Sequence, residues 1–192
     1  MDKIFTKNIE HESAVKHVTG KAIYTDDISE PKNLLHAVIG YSNCSKGVIK
    51  KIDYKDVLSS EGVVDIITEK DIEGINDVGP IFKGDKIFTS KNIEYYGQPI
   101  FAVIAKTNNL AKKAALKVKI DLKISKPIVS IEEALKKKSF VLKPKHLTRG
   151  DIKDGFKKSD NILKGKLYSG GQDHFYLEGQ IAMTIPQEDN NF

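Results

Sequence analysis

The chain has 192 residues, with 30 Lys but a single Arg, one Cys and a formal net charge of +5. At about 100 to 200 residues per domain this is one domain, or one domain with part of another, and 40% apolar against 30% charged residues suffices for a packed core. One Cys excludes an internal disulfide framework, a four-thiolate zinc site and a self-contained iron–sulfur cluster, each of which needs several thiolates.

Taken in chain order, residues 34–41 form an apolar strand, and residues 48–53 a second one after a turn at 43–47. Residues 54–60 suit a short helix. A strand at 63–68 leads to a helix start at Thr68-Glu69-Lys70-Asp71, and glycines with Pro80 make 74–85 a loop. The continuous apolar run 99–105 reads as a buried strand opened by the turn Tyr96-Gly97-Gln98. Asn108 and Asn109 are expected to cap a helix whose face is Leu110, Ala111, Ala114, Ala115 and Val118, with Lys112, Lys113 and Lys117 outward. Residues 118–124 alternate strictly, the mark of a strand with one wet face. After the break at Lys126-Pro127, Ser130-Ile131-Glu132-Glu133 opens a short helix, and Gly150-Asp151 opens another that reaches Lys158. Strands are predicted at 161–168 and 178–185. Helices and strands mix without repeats, an α+β pattern.

The lysines cluster at 112–123 and 136–145. A base reader favours Arg, whose planar fork grips guanine or phosphate, and interleaves aromatics for stacking. Both features are missing, so a solvated face and no nucleic-acid partner are expected. Cys44 reads as a small buried apolar group in a reducing compartment. No run nears the roughly 18 apolar residues of a membrane span. Met1-Asp2-Lys3-Ile4-Phe5 lacks the apolar stretch of a signal peptide, so a cytoplasmic chain without a membrane partner is expected.

Residues 79–86 have the glycine spacing of a phosphate loop, but Asp85 stands where the lysine belongs and would repel the anion. Arg149-Gly150-Asp151 reads as a turn with Asp151 capping the next helix. The histidines, His11, His17, His36, His146 and His174, are scattered, so no metal site is expected from side chains of this chain. The densest polar and aromatic cluster is Ser169-Gly170-Gly171-Gln172-Asp173-His174-Phe175-Tyr176-Leu177-Glu178. Its glycines permit close backbone approach to a ligand, and Gln172 carries a neutral amide donor. No nucleophile stands beside a base, so from the residues alone a turn leading into a strand is favoured.

At Gly170-Gly171-Gln172-Asp173-His174-Phe175-Tyr176-Leu177-Glu178 the chain resembles the molybdenum-binding subunit of the xanthine dehydrogenase and aldehyde oxidase family. The likeness extends to His11-Glu12-Ser13-Ala14, to residues 17–28, to Tyr96-Gly97-Gln98-Pro99-Ile100 and to Arg149-Gly150-Asp151-Ile152. It covers essentially the whole chain. The resemblance implies an N-terminal arm at 1–17, an α/β hammerhead domain at 18–126, a linker at 127–148 and the incomplete start of a molybdopterin-binding domain at 149–192. It also implies a xanthine dehydrogenase that hydroxylates xanthine or hypoxanthine at a molybdenum cofactor (molybdopterin). Electrons would pass through 2Fe-2S clusters and FAD on a partner subunit to NAD.

Of the usual site residues, Gln172 matches the family's glutamine beside the metal, with Gly171 next to the cofactor. A fixed neutral donor there favours the reduced state. His174 and Glu178 would orient the strand. The family's subunit is several times longer, so the resemblance implies that the catalytic glutamate base, the substrate-orienting arginine and most cofactor contacts lie beyond Phe192. No complete catalytic set and no tightly bound cofactor are expected for this chain alone. An aldehyde oxidase-type fragment and a non-catalytic hammerhead interaction module are the alternatives.

Overall fold

The computed structural model describes residues 10–190, so most of the predicted arm, residues 1–9, and the final Asn191 and Phe192 lie outside the described residues. The chain divides into two compact units, Lys32–Thr148 and Met1–Pro31 with Arg149–Phe192.

The first unit carries two three-stranded antiparallel sheets. One is ordered β1-β5-β3, from β1 (His36–Tyr41), β5 (Pro99–Ala105) and β3 (Val63–Ile67). The other is ordered β4-β2-β6, from β4 (Asn92–Ile93), β2 (Gly47–Asp53) and β6 (Lys119–Ile124). Strand β5 lies between β1 and β3 and is buried along nearly all its length, which is why it needed an unbroken apolar run rather than an alternating one. Strand β6 is a sheet edge. Ile120 and Leu122 are half-buried while Lys119, Asp121 and Lys123 are in water, as the period of two predicts, but Ile124, expected on the same face, is exposed at the strand end. The core is built from Ile49, Val57, Ile93, Phe101, Val103 and Ala111 among others, with Cys44 buried at its edge.

Helix α3 (Asn108–Ala115) packs Ala111 and Ala114 into that core. Its cap is not Asn108 or Asn109, which are already helical. Thr107, in extended backbone, accepts the Leu110 N–H with its hydroxyl. A cap must be non-helical itself while reaching the first orphan donors, and Thr107 is the residue so placed. Thr107→Ala should lower stability by about 0.5–2 kcal/mol in urea unfolding, and Thr107→Ser should retain most of it.

The other predicted helices form where expected: α2 (Lys55–Leu58), α4 (Ile131–Lys136) and α5 (Ile152–Lys158). Ser130 caps α4 by accepting the Glu133 N–H, and Asp151 caps α5 by accepting from Lys153 and Asp154. At residues 68–71 Thr68 and Asp71 close a single 3₁₀ turn, and hydrogen bonds from Thr68 hold the Asp71 carboxyl below its usual range. A further short helix, α1 (Ala14–Val18), spans the end of the predicted arm.

The strands predicted at 161–168 and 178–185 do not form. A strand exists only through a ladder with a neighbour, and no strand among the described residues pairs with either segment. Apart from the half-buried Met183 their apolar residues are exposed, Leu163 at 99% and Leu167 at 93%.

Tyr54 packs edge-on against Phe101, ring centroids 5.3 Å apart at 70°. Burial, reinforced by the charge of Asp71, pushes its hydroxyl up from 10.0 to about 12. A folded pKa above the unfolded one adds stability that is fully present below pH 10.0 and is lost as pH rises through about 12. Tyr54→Phe should therefore remove part of the fall in melting temperature across that window, read as a wild-type-minus-variant difference.

Candidate functional site

The loop 74–88 settles the phosphate-loop question. The Asp77 carboxylate accepts the N–H groups of Gly79 at 2.9 Å and Gly84 at 2.6 Å, and these bonds hold it below the ordinary carboxylate range. The backbone donors that would have cradled a phosphate are occupied by a side chain of the loop itself.

Next to it, the Tyr96-Gly97-Gln98 motif serves architecture. Gln98 is buried, its side-chain Oε1 accepts the Glu94 N–H at 2.8 Å, and its backbone N–H donates to the Ser42 hydroxyl at 3.1 Å. Ser42, also buried, returns its own N–H to the Gln98 backbone carbonyl. A buried amide must be paired to avoid a desolvation penalty, and this clasp joins the end of β1 to the start of β5. The same unit has an apolar cleft of about 930 Å³ walled by Val38, Ile100, Phe101, Ala115, Val118 and Leu122, whose one ammonium group is Lys112. Its walls bring together no acid–base pair. Among the described residues no three His, Cys, Asp or Glu side chains converge to hold a metal ion, and no helix is long and apolar enough to cross a membrane.

In the other unit, Gly170, Gly171 and Gln172 lie in irregular, exposed backbone. A Cβ added at either glycine would meet nothing within 4 Å, so the backbone here is open to a large group. The donor chemistry, backbone N–H groups and one neutral amide, suits an oxygen-rich anionic cofactor. Downstream, the Gln180 amide donates to the Tyr176 hydroxyl, and the Tyr176 N–H to the His174 carbonyl. With no strand at 178–185, His174 and Glu178 have none to orient. His174 is exposed, whereas Glu178 is half-buried and its carboxylate accepts the Thr25 N–H at 3.1 Å. That bond joins positions 153 residues apart, so no local pattern could have announced it; the available signal was an acid closing an apolar run.

The family model of the aldehyde oxidase and xanthine dehydrogenase a/b hammerhead domain matches residues 19–126, more than half of the chain. The chain belongs to this family. The molybdopterin cofactor-binding domain model matches residues 132–192, in the order that the sequence motifs imply. Xanthine dehydrogenase of Dictyostelium discoideum is 38% identical over 95% of this chain, and aldehyde oxidase 2 of Rattus norvegicus is 37% identical over 95%. The chain spans about 13% of the length of each of these relatives. Among solved structures, an aldehyde oxidoreductase from Desulfovibrio desulfuricans matches with a TM-score of 0.58 and 33% identity, over 66% of this chain and 15% of that one. The α+β class, the hammerhead domain and the opening of the molybdopterin-binding domain are thus shown, and the family is one of molybdenum-dependent oxidoreductases.

Proposed function

We propose that this chain is the N-terminal portion of the molybdenum-binding subunit of a cytoplasmic xanthine dehydrogenase. It contributes the hammerhead domain and the first segment that faces the cofactor. The observation that carries this is the Gly170-Gly171-Gln172 run, with its neutral donor and open backbone, lying inside the segment that matches the cofactor-binding domain. When bound, the molybdenum cofactor supplies the two-electron oxidation of a purine carbon. Gly171 lets the backbone approach it closely, and the Gln172 amide donates a hydrogen bond that strengthens as negative charge accumulates opposite it. Iron–sulfur clusters, FAD and the remaining active-site residues come from other chain segments or partner subunits, with NAD as the final acceptor.

A second reading, an aldehyde-oxidising enzyme of the same build, is favoured by aldehyde oxidase 2 matching as well as xanthine dehydrogenase does. The purified chain should bind less than stoichiometric molybdenum and form no uric acid from xanthine. It should also be retained by a cluster-bearing flavoprotein subunit in a pull-down. Stoichiometric metal or turnover in the chain alone, or no retention even on co-expression, overturns the proposal. Completing the subunit and comparing xanthine with an aromatic aldehyde decides between the two substrates.

A further inference from the structure

Every described side chain from residue 149 to 189 is exposed except those of Glu178 and Met183. The cofactor-facing run therefore has almost nothing of its own to fix it. Glu178 is the exception with a specific partner, the Thr25 N–H at 3.1 Å. Thr25 is in turn held firmly. It opens the 3₁₀ turn Thr25–Asp27, and the Tyr24 N–H donates to the Asp27 carboxylate at 3.0 Å. The Tyr24 hydroxyl meets His17 Nδ1 at 3.1 Å, and Ala22, Tyr24 and Thr25 are the half-buried residues of this stretch. A closed turn with a free first N–H is a rigid donor, and a carboxylate is its strongest common acceptor.

We infer that Glu178 is a positioning residue: by gripping the Thr25 N–H it anchors the downstream end of residues 170–177 and so sets where the Gln172 amide is presented. The inference rests on Gln172 facing the cofactor. The anchoring itself involves only residues of this chain and is measurable without any cofactor.

The test uses the full chain with nitroxides at Asp26→Cys and Asp173→Cys, in a Cys44→Ala background, and reads the distance distribution between the 25–27 turn and the loop by pulsed electron resonance. Glu178→Ala should at least double its width. Thr25→Pro removes the N–H donor together with the threonine side chain, at a first helical position where proline fits, and should broaden it equally. The double variant should be no broader than either single one, because the two substitutions delete one bond. Glu178→Gln keeps a carbonyl acceptor and should retain the wild-type width. An unchanged width in both single variants, a Glu178→Gln chain as broad as Glu178→Ala, or a double variant broader than either overturns the inference. Molybdenum binding by the completed subunit is assayed separately, so a failed anchor and a failed cofactor assignment give different results.

Discussion

Phe101→Ala should destabilise the hammerhead unit by about 3–5 kcal/mol, among the largest effects a single side chain can have here. The ring is 1% exposed, sits in the central strand β5, and takes Tyr54 edge-on at 5.3 Å. On the facing position of β1 the chain carries Gly40, paired with Phe101 across the ladder. A Cβ at Gly40 would fall on the Phe101 ring, so the glycine here serves close approach rather than a turn. Gly40→Ala alone should cost about 1–3 kcal/mol by overpacking. The two substitutions should not add: with the ring gone, the new methyl group enters the vacated space. The double variant should be no less stable than Phe101→Ala alone, a coupling of opposite sign to either single effect. Urea unfolding of the three variants measures it, and additive losses would show that Gly40 and Phe101 do not share this space.

The same pair shows what was legible in the sequence. The run 99–105 announced a strand buried on both faces, and the alternation in 118–124 announced a strand with one wet face, because burial writes its period directly into residue type; that this strand lies at a sheet edge was not announced. What Gly40 was for could not be read, since its reason is a ring 61 positions along the chain. Strand β4 spans two residues, Asn92–Ile93, too few for any period. Asn108 and Asn109 have the right chemistry for the cap of α3 one and two positions too late; backbone geometry, not side-chain preference, selects Thr107. At 161–168 and 178–185 the apolar pattern is real, but a strand also needs a partner, and composition carries no information about one. The proposed site divides in the same way. Gly171 and Gln172 are candidates on residue type alone, whereas the Thr25 to Glu178 hydrogen bond depends on two segments meeting in space.

Gln172→Ala separates the functional role of that residue from a structural one. The side chain is exposed and the neighbouring glycines have open space around them, so its removal should leave the melting temperature of the 192-residue chain unchanged. If the amide faces the cofactor as proposed, the same substitution in the completed, molybdenum-loaded subunit should lower turnover by about 10²–10³-fold, the scale for deleting one donor aimed at developing negative charge. The loss should fall on kcat and kcat/KM together, because a donor that strengthens only as charge accumulates adds nothing to substrate binding. Gln172→Glu should be at least as damaging despite its matching shape. It exchanges a donor for an anion, and an anion opposes the reduction that the amide assists. A kcat unchanged by Gln172→Ala, or a loss confined to KM, would place the residue outside the reaction and leave the glycine run as a surface loop.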